Sequence, residues 1–563
     1  KFEDLIILNE TSDTNFFKVG LTYEKLNNPN KAFDNYEKAF SLAPEKDIYL
    51  VTIYNLLTRI NINFYSLKLD EILNKIILKS KLFDIVKLIK NISILIKSHP
   101  NTSEIIKRLK KYNEYNLKLE DYRSINNTSI LKNIMRLMTI PDPEVELFLK
   151  NLRRNLFLKG SYLKQNEDFI IEILISLSYQ CFINEYIYGE EDTEKKEVDK
   201  LKRKIEKLLK EKSDININEL ILLSCYMPLH RLEGIQDYKP SEKLKDLFKL
   251  QVNDYFNELS ISKKIKSVNI IKNSLSKEVE DMYKDNPYPR WNDIVLPPEL
   301  TVKEVIEYLE LKLNPDDFVS LVNPDILIAG CGTGHQSIQT YSRFKNCQMI
   351  AIDLSLRSLS YAKRKSLELG FNEIEYLQCD ILDLDLLNKK FDIVECCGVL
   401  HHMSDPEIGL KKITNRLKSD GLMKIALYSK FGWQNIVDAG LHISNLNLSK
   451  SNEDIKLFRD YVFKNNKNFS QLLASDDFYS LSNCRDLLFH IQVHLFNLNE
   501  IKELLKKNNL EFLGFEVKKE VINAFKKIYP NKEDIYSMNC WNDFESNNRT
   551  IFSNMYHFWV KKM

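Results

Sequence analysis

The sequence lacks the features that define several protein classes. Across its 563 residues no apolar run reaches the ~18 residues that a bilayer span needs. No secretory apolar region opens the chain. Charge of either sign is not in excess: 81 Lys and Arg face 79 Asp and Glu, for a formal net charge of +2. That balance argues against a dedicated nucleic-acid binder. The nine cysteines are odd in number, with no Cys-x-x-Cys pair and no Cys/His cluster at zinc-ligand spacing. Neither a disulfide framework nor a metal centre is therefore expected, and reduced, mostly buried thiols suit a cytoplasmic location.

Glycine is scarce where it would break helices. Of the 14 glycines only Gly20, Gly160, Gly189 and Gly234 precede residue 280, whereas nine lie between 330 and 440. Six prolines between 287 and 324 mark the seam. The first half, rich in Leu, Ile, Lys and Glu, is expected to be helical. The second alternates short β-rich runs with helical ones, as an α/β domain does.

Within residues 16–44, Phe16, Val19, Gly20, Tyr23, Ala32, Tyr36, Ala39 and Pro44 sit at the offsets of the tetratricopeptide repeat, which this stretch resembles. Small residues at Gly20, Ala32 and Ala39 would let two helices approach, with Tyr23 and Tyr36 between them and Asn27-Asn-Pro-Asn30 as the turn. One repeat cannot bury both its faces, so neighbours are expected after it or ahead of Lys1. Such arrays bind peptide or protein partners, or serve assembly. The following region is expected to stay helical, and Glu190 to Lys212, with both charge signs interleaved, to be a solvated helix face.

Asp325-Ile-Leu-Ile-Ala-Gly-Cys-Gly-Thr-Gly334 is a strand-like run ending in three alternating glycines. Strand, glycine loop and helix is how an α/β sheet builds a nucleotide site. A phosphate loop would need Gly-Lys-Ser/Thr, and a dinucleotide fingerprint a glycine where His335 stands. A second apolar strand ends in Asp353, 23 residues beyond Gly330, near the offset at which a carboxylate meets ribose hydroxyls. The alternative role for Asp353 is capping the next helix. Strand-like runs also end at Asp380, span Phe391-Asp-Ile-Val…Leu-His-His402, and run from Leu417 to Leu427.

In order and spacing, residues 320–430 resemble the class I S-adenosylmethionine-dependent methyltransferases. Tyr288-Pro-Arg-Trp291, Cys484-Arg-Asp-Leu-Leu-Phe-His490 and Met555-Tyr-His-Phe-Trp559 resemble a narrower bacterial group that fuses tetratricopeptide repeats to this domain. The resemblance implies an α plus α/β chain: a tetratricopeptide-like helical region at 1–99, a helical middle region at 100–280, and a Rossmann-like methyltransferase domain at 281–563. Within that domain it implies a core at 320–430, a cap at 430–497 and final strands at 510–563. The sheet should have seven strands, with the last antiparallel at its edge.

S-adenosyl-L-methionine is the implied cofactor, held by Gly330, Cys331, Gly332, Thr333 and Gly334 of the loop. Asp353 and Leu354 would meet the ribose, and Asp380 and Ile381 the adenine. Tyr288 and Arg290 of the aromatic seam Asp281–Trp291 would lie over the pocket. His401 and His402 stand where the family's acceptor chemistry occurs, His401 being the expected base or orienting group. Cys396 and Cys397 are expected to be core or pocket-lining residues. Trp433, Tyr479, Arg485, His490 and His494 are candidate liners of an acceptor pocket. The family's acid two residues before the first glycine is replaced by Ile328, with Glu395 as a candidate substitute. The acceptor is expected to be protein or another macromolecule, with a small molecule, lipid or glycan as the alternative and a non-catalytic scaffold as a third reading. No nucleic acid is expected as a partner.

Overall fold

A computed structural model describes residues 12–111, 116–158, 168–283, 287–552 and 555–563. Lys284–Asn286 of the aromatic seam lie outside the described residues. The chain divides into two compact units: Lys1–Val252 with Trp291–Val295 and Leu473–Ser480, and Asn253–Arg290 with Leu296–Leu472 and Leu481–Met563.

The first unit is helical. Ser12 caps the helix Asp13–Lys25, and Asn28 caps Pro29–Leu42, whose first residue is a proline with no N–H to satisfy. The two helices pack where residues are small. Ala32 and Ala39 are fully buried, and a Cβ on Gly20 would sit 2.5 Å from the buried Tyr36 ring. The charged stretch forms the helix Asp192–Glu211, opened by a Glu191/Glu194 capping box and lined with Lys202–Glu206 and Lys207–Glu211 pairs. Cys225 is fully buried, its Sγ lying 3.4 Å from the Ile221 carbonyl oxygen.

The second unit is built on one eight-stranded sheet, and its strands are, in chain order, β1 Lys266–Ser267, β2 Asp325–Ala329, β3 Gln348–Asp353, β4 Glu375–Gln378, β5 Phe391–Cys397, β6 Leu417–Tyr428, β7 Leu510–Phe515 and β8 Met555–Lys562. Their spatial order is β1-β4-β3-β2-β5-β6-β8-β7. Strands β1 to β6 pair in parallel, with Leu327 beside both Ile350 and Val394. Such strands are covered on both faces, and β2 accordingly reads as an apolar run with four of its five residues buried.

Two sequence expectations need correction. Among the described residues the sheet has eight strands, because two residues of β1 extend it beyond β4. The last strand is antiparallel as expected but does not lie at the edge: β8 sits between β6 and β7, pairing Ile425 with Phe558 and Phe515 with the same Phe558. Aromatic residues at Tyr556, Phe558 and Trp559 are fully or almost fully buried there, which an edge position would not give them. Strand β2 is flanked by β3 on one side and β5 on the other, so strand order reverses at its carboxyl end. In open α/β sheets that reversal opens a crevice for ligands.

Candidate active site

A cavity of about 320 Å³ lies at the carboxyl ends of β2 to β6, wholly within the second unit. Its lining includes the glycine loop and the acids Asp353 and Asp380 with their neighbours, Gly330, Cys331, Gly332, Asp353, Leu354, Asp380 and Ile381. It also includes Tyr283, Tyr288, His402, Tyr428, Asp486 and His490.

The glycine loop is forced by sterics. Gly332 has φ +50°, and a Cβ there would lie 2.8 Å from the Tyr288 carbonyl oxygen. A Cβ on Gly330 would meet the two Val399 methyl groups at 2.3 and 3.0 Å. The Gly332 N–H donates to Asp353 Oδ2 at 2.8 Å, and Ser355 N–H donates to Asp353 Oδ1 at 2.9 Å. The helix Leu356–Glu368 is capped by Ser355 instead, whose hydroxyl accepts from Ser358 N–H. Asp353 thus braces the loop and still lines the cavity. A carboxylate offers about four acceptor positions, so both oxygens retain capacity for a ribose diol. Burial holds the Asp353 carboxyl above the usual carboxylate range, opposed by these backbone hydrogen bonds. Asp380 Oδ1 accepts from Leu382 N–H at 2.9 Å, turning the chain into the short helix Ile381–Leu386 at the cavity wall.

The structure redistributes several expected site residues. Thr333 is fully buried and donates to the Pro289 carbonyl, tying the seam to the loop. Gly334 and Arg290 are not among the lining residues, whereas Tyr288 is. Gly334 instead packs at the helix start, where a Cβ would lie 2.6 Å from that of Ala362. Glu395 is buried, with Oε2 accepting from Gln336 at 2.6 Å and Thr340 at 2.8 Å, and it does not line the cavity. Gln336, which it holds, does.

The paired histidines divide. His401 is fully buried outside the lining, stacked on Tyr428 with centroids 3.7 Å apart, and neither ring nitrogen has a hydrogen-bond partner among the described residues. Burial lowers its pKa well below the usual imidazole value. His402 lines the cavity, its Nδ1 lying 2.8 Å from the Gln492 carbonyl oxygen. Burial brings its pKa down to about 4, so the ring is neutral at pH 7 with Nε2 as a lone-pair acceptor. Of the two expected histidines, His402 is the one that lines the cavity.

Asp486 is the group that sequence reasoning passed over, although it lies inside the singled-out segment Cys484–His490. It is almost fully buried, and its Oδ1 accepts from Tyr283 Oη at 2.6 Å. Burial raises its pKa to about 6, against the lowering effect of the Tyr283 and Tyr288 hydroxyls. His490, half-buried, stacks on His402 with centroids 3.5 Å apart. Burial pushes Cys397 up to about 12 and raises Cys396 too, so neither supplies a thiolate. Among the other expected liners, Trp433 is buried against Tyr428, Arg485 donates to Asn452, and His494 lies outside this cavity. Tyr479 belongs to the first unit.

Residues 323–453 match the family described as "Methyltransferase domain". This stretch is a class I S-adenosylmethionine-dependent methyltransferase domain, with S-adenosylmethionine as its cofactor. The chain is 30% identical over 208 residues to an uncharacterized protein of Synechococcus sp., covering 35% of this chain and 49% of that one. It is 28% identical over 212 residues to the malonyl-[acyl-carrier protein] O-methyltransferase of Acetivibrio thermocellus, covering 37% of this chain and 65% of the enzyme. Among solved structures, PKMT2 from Rickettsia typhi aligns with 47% of this chain and 53% of its own at 20% identity and a TM-score of 0.35. The chain spans about half the length of the Synechococcus relative and just under two thirds of the Acetivibrio one. Among the described residues, no helix is long and apolar enough to cross a membrane.

Proposed function

We propose that the second unit transfers a methyl group from S-adenosylmethionine to a nucleophile at the His402–Asp486 end of the cavity. One observation carries this reading: a single cavity joins the Asp353-braced glycine loop to a cluster of buried, hydrogen-bonded acid–base groups. Gly330, Gly332, Asp353 and Asp380 hold the cofactor in this reading, which supplies an electrophilic methyl when bound. The chain's own task is alignment and exclusion of water, and positioning alone removes several kcal/mol of barrier. Tyr283, Tyr288 and Asp486 orient the acceptor, and neutral His402 or ionised Asp486 takes its proton where one must leave.

The acceptor in this proposal is protein or another macromolecule that threads one functional group into the cavity, selected by the helical first unit. The tetratricopeptide-like pairing of Asp13–Lys25 with Pro29–Leu42 supports a partner-binding role. A small-molecule acceptor, with the helices used for assembly, is the second reading, favoured by a cavity volume near that of a single drug-sized ligand.

The experiment offers methyl-labelled S-adenosylmethionine and the protein to an extract of the source cells, split by a size filter. Label in the retained fraction, lost with Gly332→Arg, supports the macromolecular acceptor. Label only in the filtrate supports the small one.

A further inference from the structure

We propose that His402, Asp486 and His490 form a binding site for one divalent transition-metal ion in the acceptor half of the cavity. One ligand atom from each residue lies within 4.8 Å of the other two. Ligands about 2.0–2.2 Å from a tetrahedral ion lie a little over 3 Å apart, so side-chain rotations of about an ångström would close the site. The residues come from two distant stretches: His402 from the turn after β5, Asp486 and His490 from the helix Leu481–Phe489 and its exit. No sequence spacing could have shown them together.

Three features suit a metal better than a plain hydrogen-bonded cluster. First, the Nδ1 atoms of both imidazoles lie close to one backbone carbonyl, that of Gln492, at 2.8 Å for His402 and 2.9 Å for His490. A histidine that donates one ring N–H to a carbonyl turns its other nitrogen outward as a ligand, the usual support behind metal-bound histidine. Gln492 N–H also lies 3.2 Å from His490 Nδ1. Donation from that N–H would instead place a hydrogen on Nε2. Second, His490 Nε2 is buried without a hydrogen-bond partner among the described residues. As a lone pair it is satisfied by an ion, while as an N–H it would be a buried donor left unpaired. Third, Asp486 is oriented by the Tyr283 hydroxyl, as ligating carboxylates are.

Two imidazoles and one carboxylate suit Zn²⁺, Co²⁺, Ni²⁺ or Fe²⁺ over Mg²⁺ or Ca²⁺, which prefer all-oxygen shells. Three protein ligands leave a coordination position open, and the acceptor's oxygen or nitrogen would fill it. This rests on the methyl-transfer reading and deepens it: with the ion bound, His402 and Asp486 hold the acceptor through the metal instead of taking its proton. The metal site itself can be tested without methyl transfer.

The test is a Co²⁺ titration of the untagged full chain after dialysis against chelator, read by visible absorption, with metal analysis of the Zn²⁺-loaded protein. The expected result is one equivalent of bound ion with nitrogen/oxygen-type cobalt bands, weakened at least tenfold in both His490→Ala and Asp486→Asn. Should His490→Ala fail to fold, judged by circular dichroism, Asp486→Asn decides. No stoichiometric binding, binding unchanged in the folded variants, or intense thiolate–cobalt charge-transfer bands from the cysteines would overturn the proposal. If cobalt binds as expected while no methyl transfer is found, the metal site stands and the catalytic reading falls.

Discussion

The Gly332 N–H donates to Asp353 Oδ2 at 2.8 Å, so the glycine loop and the acid at the end of β3 fix each other. Neither is a free binding element. The acid sets the loop backbone, and the loop holds the carboxylate at the cavity wall.

Gly332→Ala tests the loop. The added Cβ would lie 2.8 Å from the Tyr288 carbonyl oxygen at a backbone φ of +50°. Strain of this kind costs about 1–3 kcal/mol. Denaturant titration should show a loss of that order, and calorimetry a weakened affinity for S-adenosylmethionine. Unchanged values would mean that the loop yields freely.

Asp353→Ala removes both the brace and the ribose-facing carboxylate. Hydrogen bonds to charged groups contribute about 1.5–3 kcal/mol, which corresponds to a loss of cofactor affinity of about tenfold or more. A change below twofold in a binding titration would contradict the ribose role.

This much was legible in the sequence because it is local. An apolar run, alternating glycines and an acid after the next strand are all written within residues 325–353. The remainder depends on chain folding. His401 and His402 are neighbours on one short turn, and which ring faces the cavity is decided by Tyr428 stacking on His401 and the Gln492 carbonyl meeting His402. Asp486 joins them from a helix far along the chain, and its meaning appears only beside Tyr283. The place of β8 inside the sheet is likewise a matter of pairing with β7, which its aromatic pattern leaves open.

Acid should destabilise the protein through its buried histidines. Burial lowers the pKa of His401 well below 6.5, that of His402 to about 4 and that of His490 to about 2. Below pH 6.5 the unfolded chain binds protons that the folded chain refuses, so stability present above that pH is lost as pH falls. The slope is about 1.4 kcal/mol per pH unit for each imidazole once its unfolded form is fully protonated. Asp486 acts in the opposite sense, because its folded-state value of about 6 lies above the ordinary 3.8; Asp353, Asp476 and Glu545, also raised by burial, act with it, and His557, also lowered, acts with the three imidazoles. Denaturation of the chelator-dialysed protein at pH 7.5 and 5.5 should show the loss, and His401→Phe should reduce it. Equal stability at both values would contradict the burial of neutral rings.

In the chelator-dialysed protein, where Asp486 titrates freely, Tyr283→Phe removes the hydrogen bond that lowers the Asp486 pKa. That pKa should move up from about 6, carrying the acid limb of the kcat/KM profile to higher pH by about one unit. A limb that stays in place would show that Asp486 ionisation does not govern turnover.

The most direct measurement of the central claim is a calorimetric titration of the full chain with S-adenosylmethionine, run beside Gly332→Arg. The account predicts one saturable site per chain in the wild type and none in the variant, with both proteins folded by circular dichroism. No binding to the folded wild type, or equal binding to both, would contradict it.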